Sequence, residues 1–144
     1  MDKINWSILE ALQQNARMSF AEIGRQVGLS APAVAERMEK LEEAGIIRGF
    51  TVNLNMEKLG YALSAIVSLK IYNGRQKDFI QFASTAPEVH ECHKVTGHNC
   101  FLLKLYVKKA GDLDVLVSRI AEYGEPVTSV ILSSPVEQKV VSHK

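Results

Sequence analysis

The segment of residues 19–45 constrains the fold most, because its spacing predicts two short helices joined by a tight turn. Ser19 and Glu22 have the spacing of a capping box, which marks a helix start. Gly28 is suited to the left-handed conformation that follows a helix C-terminus. Two helices at this spacing are typical of a helix-turn-helix, which places one helix in the major groove of DNA. The alternative is a plain two-helix hairpin within a larger core.

The second helix of this segment is predicted to start after Ser30, a good capping residue, with Pro32 in its first turn. Its buried stripe is predicted to be Val34, Met38 and Leu41. The candidate DNA-contacting residues flank this stripe or the ends of the motif; they are Arg17, Ser19, Ser30, Ala31, Ala33, Glu36, Arg37, Lys40 and Arg48. We expect Ser30, Arg37 and Lys40 to act mainly as phosphate anchors.

Charge limits how such a motif can bind DNA. Residues 1–50 hold six basic and seven acidic residues, a net charge of −1, and residues 51–144 hold eleven and nine, a net charge of +2. Because phosphate contacts dominate non-specific affinity, a slightly acidic domain binds weakly as a lone monomer. Binding then requires locally clustered cations, helix N-termini or several copies acting together.

The first half of the chain reads as one small domain. A helix is predicted to start between Asp2 and Asn5 and to run to about Gln14. After the motif, the β-prone residues 46–52 predict a small hairpin, or wing. We therefore assign residues 1–52 to a winged helix-turn-helix domain, and residues 53–62 to a linker.

The second half, residues 63–144, changes to alternating apolar patterns. Strands are predicted at 63–72, 89–95, 101–107 and 127–134, with helices at 77–84 and from about Asp112 to a stop at Gly124 and Pro126. The order strand, helix, strand, strand, helix, strand indicates a ferredoxin-like βαββαβ sandwich, so the fold class is α+β.

The predicted helices cover one face of that sheet. The other face is expected to carry Ile66, Leu102, Val130 and Leu132 among polar neighbours. Such a face favours dimerisation.

His143 and Lys144 are expected to form a frayed tail. Trp6 is expected to be either a packing residue or a dimer contact.

Taken in order, these residues resemble the Lrp/AsnC family of bacterial and archaeal regulators across nearly the whole chain. The matching runs are Ile8–Gln13, Val27–Ser30, Glu36–Arg37, Lys40–Glu42, Gly45–Ile47, Leu59–Gly60, Pro87–Val89, Glu91–His93 and Val95–Gly97. The resemblance implies a DNA-binding transcriptional regulator that forms homodimers, commonly assembled into octamers, and responds to an amino acid or related small molecule. Transferred residue by residue, it implies an effector site formed by Gly97, His98, Asn99, Cys100, Thr128, Val130 and Leu132.

The chain departs from the family pattern at two places. Family members often have threonine or serine near the start of the recognition helix, where this chain has Ala31, Ala33 and Ala35. Alanine contacts a thymine methyl but forms no hydrogen bond to a base edge, so we expect DNA shape to carry much of the specificity.

Many amino-acid-responsive members have an aspartate where this chain has Cys100. Losing that charge-assisted contact weakens binding by roughly ten- to a hundred-fold, which leaves three alternatives: another ligand, weak binding or a silent site.

Other functions were weighed on the same residues. His90, Cys92, His93, His98 and Cys100 lie close in sequence, but the cysteine spacing typical of zinc sites is absent, and no metal or other cofactor is expected. On a regular strand, His90 and Cys92 share a face and His93 lies on the other.

The main alternative function is an architectural protein that wraps DNA with little sequence preference. A free-standing effector-binding protein would leave the first fifty residues unexplained, and no nucleophile or carboxylate pair suggests an enzyme. The absence of a signal peptide and of a long apolar run predicts a cytoplasmic protein without membrane contact.

Overall fold

A computed structural model describes residues 1–143, which form two compact units. The first unit contains residues 1–53 and the described residues from Pro135 onward, and the second contains Leu54–Ser134. The structure therefore divides the chain after Asn53, and it groups the last residues with the first unit rather than with the predicted domain 63–144. Across the described residues, no helix combines the length and apolar character needed to cross a membrane.

The first unit has three helices, α1 (Lys3–Gln14), α2 (Phe20–Val27) and α3 (Ala31–Glu43). Asp2 caps α1 by accepting a hydrogen bond from the Asn5 N–H, within the predicted start. The apolar faces of the three helices meet in one core formed by Ile8, Leu12, Ile23, Val34 and Met38. The amphipathic spacing of all three helices therefore converges on the packing that the sequence predicts.

The turn between α2 and α3 has the predicted caps. The capping box of Ser19 and Glu22 is complete, and Gly28 lies in the left-handed region with φ 72°. Ser30 caps α3 by accepting a hydrogen bond from the Ala33 N–H, and Pro32 lies in the first turn. The helix-turn-helix prediction is confirmed.

Residues 46–52 do not form the predicted hairpin. Between α3 and residue 62, all within the described chain, no residue lies in a strand. The backbone N–H groups of Ile46 and Ile47 both donate to the carbonyl of Leu41, at 3.0 and 3.1 Å. Because these donors close the C-terminus of α3, they are not free to pair with a second strand.

The C-terminal segment is not a frayed tail up to residue 143. The side-chain amide of Gln13 donates to the Val141 carbonyl at 2.9 Å and accepts from the Val141 N–H at 2.8 Å. The ring of Trp6 meets that of His143 edge-on, with centroids 5.6 Å apart. Trp6 is thus a packing residue within its own unit. The prediction of a frayed tail is wrong at His143, because the partners that hold this segment are more than a hundred residues away in the sequence. Lys144 lies outside the described residues.

The second unit is a four-stranded antiparallel sheet with two helices. Its elements are β1 (Leu63–Ile71), α4 (Gln76–Thr85), β2 (Val89–Lys94), β3 (Phe101–Val107), α5 (Ala110–Ala121) and β4 (Gly124–Val130). The strand order is β2-β3-β1-β4, as in the predicted ferredoxin-like sandwich. One sheet face packs on the helices around Phe79, Leu116 and Ile120, which are buried with the inward residues of β1 and β3. The fold class is confirmed.

Strand β4 starts three residues before its predicted position and ends at Val130. Gly124 and Pro126, predicted to end the preceding helix, lie inside β4, and that helix ends earlier, at Ala121. Proline is tolerated because β4 is an edge strand, where a missing N–H need not break the ladder. At Gly124 an added Cβ would lie 2.3 Å from the Lys70 carbonyl oxygen, so only glycine fits against β1.

The register changes which residues of β4 face outward. Val130 pairs with Ala65, a buried residue, and so lies on the helix-covered face rather than on the open one as predicted. Val127 pairs with Ser68 and takes the open face, where it is 62% exposed. Leu132 lies beyond the strand and is 95% exposed. Ile66 and Leu102 lie on the open face as predicted, since their neighbours in β1 and β3 are the buried residues.

A bulge in β2 corrects a second prediction of orientation. The pairing of β2 with β3 shifts between Val89 and Glu91, so His90 is the extra residue. Cys92 pairs with buried Leu103 on the covered face, whereas the ring of His90 contacts that of Tyr106 at 5.1 Å on the open face. His90 and Cys92 therefore do not share a face, because one additional residue inverts the alternation.

Candidate functional sites

The N-terminal end of α3 presents small side chains. The buried residues of this helix are Val34, Met38 and Leu41, as predicted. Ser30 is exposed, and Ala31, Ala33 and Ala35 are half-buried. In the first turn Pro32 has no N–H and the Ala33 N–H donates to the Ser30 hydroxyl at 3.4 Å, so this end of the helix offers few free backbone donors. This end of α3 is therefore narrow and carries few hydrogen-bonding side chains.

The Ser19 hydroxyl is engaged within the motif. It donates to the Glu22 carboxylate at 2.6 Å, and the Ser19 backbone N–H donates to the same oxygen at 2.8 Å. These two hydrogen bonds lower the pKa of the Glu22 carboxyl below its ordinary value. The pair orients the start of α2.

Arg37, a predicted phosphate anchor, is engaged with α1. Its Nη1 donates to Asp2 Oδ2 at 2.6 Å and to Asn5 Oδ1 at 2.8 Å. The pKa of the Asp2 carboxyl is lowered, first by the hydrogen bond from the Asn5 N–H and then by that from Arg37. The Arg37 side chain is half-buried and that of Asp2 is exposed, so solvent reaches this ion pair mainly from the Asp2 side.

Lys40, the second predicted cationic anchor, has a different environment. Its Nζ lies 2.6 Å from Glu36 Oε1 on the next turn of α3, and both side chains are about two-thirds exposed. The hydrogen bond from Lys40 lowers the pKa of Glu36. Exposed pairs of this kind contribute little stability, so Lys40 can exchange its partner.

Four cationic side chains within residues 1–53 have no ion pair with the described residues. Arg17 and Arg48, both predicted DNA contacts, are exposed on either side of the α2–α3 segment in the chain. Lys3 and Arg25 are also exposed but were not among the predicted contacts. These side chains are available to an external anion.

The predicted effector turn follows β2. The Cys100 N–H donates to the Leu69 carbonyl at 2.9 Å, and its carbonyl accepts from the Val95 N–H at 2.9 Å. Both backbone groups of Cys100 are thus used, and its side chain packs against the core. Gly97, with φ 106°, His98 and Asn99 form the turn itself.

The other predicted effector residues lie along β4 and beyond it. Thr128 pairs with Val67, and its hydroxyl is buried without a hydrogen-bond partner in the described chain. Val130 pairs with Ala65, and the next residue, Ile131, donates to the Ser64 carbonyl. Val130 lies opposite Ala65, four residues along β1 from Leu69, the residue whose carbonyl binds Cys100; at about 3.3 Å per strand residue this is a separation of roughly 13 Å. One chain therefore does not bring the predicted effector residues together.

Two cavities of the second unit lie elsewhere. One, of about 510 Å³, lies between α4 and β2 and is lined in part by Cys92; the other, of about 210 Å³, is lined in part by Tyr61 and Tyr106. None of the predicted effector residues lines either cavity. Burial raises the pKa of the Cys92 thiol, which opposes thiolate chemistry there.

The open sheet face carries charge pairs that the sequence analysis missed. Lys70 Nζ lies 3.3 Å from Glu125 Oε2, and Glu91 lies between Lys104 at 3.8 Å and His93 at 3.1 Å. The His93 hydrogen bond lowers the pKa of Glu91. Among residues 1–143, no three histidine, cysteine or acidic side chains are grouped as metal ligands. Only the strand register brings Lys70 to Glu125 and Lys104 to Glu91, so sequence spacing carries no signal of these two pairs, whereas Glu91 and His93 lie two residues apart on one strand.

Comparisons with known proteins match both units. Residues 1–42 match the AsnC-type helix-turn-helix domain, and residues 64–141 match the Lrp/AsnC ligand binding domain. The HTH-type transcriptional regulator LrpC of Bacillus subtilis is 32% identical over 92% of each chain. The leucine-responsive regulatory protein of Klebsiella pneumoniae is 37% identical over 74% of this chain and 67% of its own.

Solved structures are also similar. That of B. subtilis LrpC superposes with a TM-score of 0.91 over 96% of this chain and 99% of its own. The transcriptional regulator NMB0573 of Neisseria meningitidis, crystallised in complex with L-Met, is 26% identical and superposes with a TM-score of 0.90. It covers 98% of this chain and 96% of its own.

Proposed function

Because the chain belongs to the Lrp/AsnC family of DNA-binding transcriptional regulators, we propose that α3 is the helix that enters the major groove, and that it works within a homo-oligomer. The observation that carries this proposal is the capped, uncrowded N-terminal end of α3. Ala31 and Ala33 offer methyl groups, and the positive end of the helix dipole favours a phosphate.

Phosphate contacts are assigned first to Arg17 and Arg48, which are exposed and have no ion pair among residues 1–143. Lys40 joins them by leaving Glu36, since their pair is exposed. With alanines at the base edges, DNA shape and deformability supply much of the sequence preference.

The test of the reading helix is Ala33→Glu, which adds a carboxylate at the proposed interface and suits the first turn of a helix. The control is Ala121→Glu, the same change at the end of α5 in the second unit. The probes are a duplex enriched by in vitro selection with the full chain and a random-sequence duplex. We expect Ala33→Glu alone to weaken binding to the selected duplex by about tenfold or more. Equal binding by both variants would refute the assignment of α3.

The same two probes separate a dedicated regulator from an architectural protein. A regulator binds the selected duplex about 10³-fold or more tightly than random sequence at physiological salt. A ratio near one would favour DNA wrapping without sequence preference, which the alanine-rich end of α3 also suits.

We place the homodimer contact on the open sheet face, with further assembly to octamers as the family resemblance implies. Ile66, Leu102 and exposed Val127 supply apolar area, and the Lys70–Glu125 pair supplies charge at the edge. The test compares Val127→Glu with Val115→Glu, since these valines are 62% and 61% exposed on β4 and α5. We expect only Val127→Glu to lower the mass measured by light scattering.

We propose that the effector, an amino acid or related small molecule, binds where two copies meet. The support is the separation of the turn residues 97–100 from Val130 and Leu132 within one chain, and L-Met bound to the similar regulator NMB0573. Calorimetry against the standard amino acids tests this, with Cys100→Asp and Cys100→Ser as the variants. We expect the aspartate alone to tighten amino-acid binding by roughly ten- to a hundred-fold. No gain with Cys100→Asp would remove the turn from the site.

A further inference from the structure

We propose that Arg37 is a positioning residue, which fixes the orientation of α3 on α1 through Asp2 and Asn5, rather than a phosphate anchor. The proposal rests on α3 being the DNA-reading helix, as proposed above. Its basis is a closed set of hydrogen bonds between the start of α1 and the middle of α3, called here the α1–α3 clamp and formed by Asp2, Asn5 and Arg37.

The clamp uses both oxygens of one carboxylate. Asp2 Oδ1 accepts from the Asn5 backbone N–H at 2.8 Å, and Oδ2 accepts from Arg37 Nη1 at 2.6 Å. The same Nη1 donates to the Asn5 side-chain oxygen at 2.8 Å. Each of the three residues therefore bonds to the other two, which restrains the guanidinium along more than one direction.

The acceptors in the clamp are held by the fold itself. Asp2 is the N-cap of α1, so its carboxylate position is set by the first turn of that helix. The Arg37 side chain is 29% exposed, whereas that of Lys40, one turn further on, is 67% exposed. A partly buried arginine with two acceptors is suited to setting a helix orientation, and the exposed Lys40 to meeting a phosphate.

Apolar packing alone leaves α3 some freedom. Ile8 and Leu12 of α1 share one apolar core with Val34 and Met38 of α3, and hydrophobic burial is non-directional. Hydrogen bonds are directional, so the clamp selects one register of the two helices. Recognition through alanine methyl groups and DNA shape depends on that register, because small side chains cannot reach further to compensate for a displaced helix.

The two roles of Arg37 predict opposite effects of removing Asp2. If Arg37 binds phosphate, loss of the Asp2 carboxylate frees the guanidinium and removes a negative charge, so binding tightens. If Arg37 positions α3, the same loss weakens binding to the selected duplex. The clamp therefore predicts that removing a negative charge from a DNA-binding unit lowers its affinity for DNA.

The principal variant is Asp2→Ser in the full, untagged chain, because serine keeps the N-cap of α1 but cannot pair with Arg37 as a carboxylate does. Arg37→Gln breaks the clamp from the other side, and the double variant tests whether the two act as one unit. Glu39→Gln is the charge control, since Glu39 is exposed on α3 and has no ion pair among the described residues. Thermal unfolding identifies variants that lose their fold.

We expect Asp2→Ser, Arg37→Gln and the double variant each to weaken binding to the selected duplex by about tenfold, with no addition of effects. Binding to the random-sequence duplex keeps its salt dependence, whereas loss of a phosphate contact lowers that slope by about 0.9. Glu39→Gln leaves the ratio of the two affinities unchanged.

Two results would overturn the clamp. One is tighter binding by folded Asp2→Ser with weaker binding by Arg37→Gln, which identifies Arg37 as a phosphate anchor. The other is unchanged binding by folded Asp2→Ser. If Ala33→Glu has no effect, the reading helix itself is wrongly assigned; if Ala33→Glu weakens binding and Asp2→Ser does not, the clamp alone fails.

Discussion

Gly24 in α2 lies so close to Leu29 that a Cβ on Gly24 would stand 2.4 Å from the Leu29 carbonyl oxygen. The Gly24 carbonyl also accepts a hydrogen bond from the Leu29 N–H at 2.9 Å. The absence of a side chain therefore lets the turn fold back onto α2 and sets the angle at which α3 departs.

Replacing Gly24 with alanine should destabilise the first unit by about 1–3 kcal/mol, because the new methyl group meets backbone that cannot move aside freely. Urea unfolding followed by Trp6 fluorescence measures this, since Trp6 is the single tryptophan and lies in that unit. Gly111→Ala in α5 is the control, because an added Cβ there meets nothing within 4 Å. Unfolding of the Gly111→Ala variant, followed by circular dichroism, should show an unchanged or slightly higher stability. Wild-type stability in Gly24→Ala would show that the turn relaxes.

The acid stability of the first unit should depend on Glu22. Its carboxyl has a lowered pKa in the folded state, so it stabilises the fold above its ordinary pKa, and this contribution disappears as pH falls through the lowered value. Glu22→Gln keeps an acceptor for the capping box but not the charge. The stability difference between wild type and Glu22→Gln should be constant near neutral pH and shrink in acid. Urea titrations across this pH range measure the difference, and a flat difference for Glu22→Gln would contradict the role of the charge.

Gln13 should control the order of the C-terminal segment. Gln13→Ala removes both hydrogen bonds to Val141. The backbone amide hydrogen of Val141 should therefore exchange faster with solvent, and a protease should cleave residues near the C-terminus sooner. Gln14→Ala is the control, because Gln14 is exposed and its side chain makes no hydrogen bond within residues 1–143. Equal exchange of the Val141 amide in both variants would mean that the segment is held by other contacts.

Phe79 should be the largest single contributor to the core of the second unit. It is fully buried, and its ring meets that of Phe101 with centroids 4.9 Å apart. Phe79→Ala should cost about 3–5 kcal/mol in the free energy of unfolding, measured by calorimetry. The neighbouring Ile80 is 46% exposed, and Ile80→Ala should have a much smaller effect. Similar losses for the two variants would contradict the assignment of the core.

The elements that the sequence predicts well are those decided by nearby residues. The Ser19–Glu22 box, the left-handed Gly28 and the Ser30 cap depend on partners within a few positions, and each forms as predicted. The strands β1 and β3 alternate clearly enough to reveal their buried faces.

The features that escaped prediction depend on distant partners. Gln13 meets Val141, and Arg37 meets Asp2, only because the fold brings them together. The bulge at His90 moves one residue out of register, and no property of the residue type signals it. In β4 the valines occur on both alternating sets, so only pairing with β1 decides which set faces the helices.

The return of residues from Pro135 onward to the first unit has a consequence for protein synthesis. The three helices of that unit leave the ribosome before the second unit, yet Trp6 and Gln13 receive their partners His143 and Val141 only after the second unit has been synthesised. The second unit is therefore made while these contacts of the first are still open. A nascent chain therefore holds all three helices of the helix-turn-helix unit well before α1 gains its contacts with Val141 and His143.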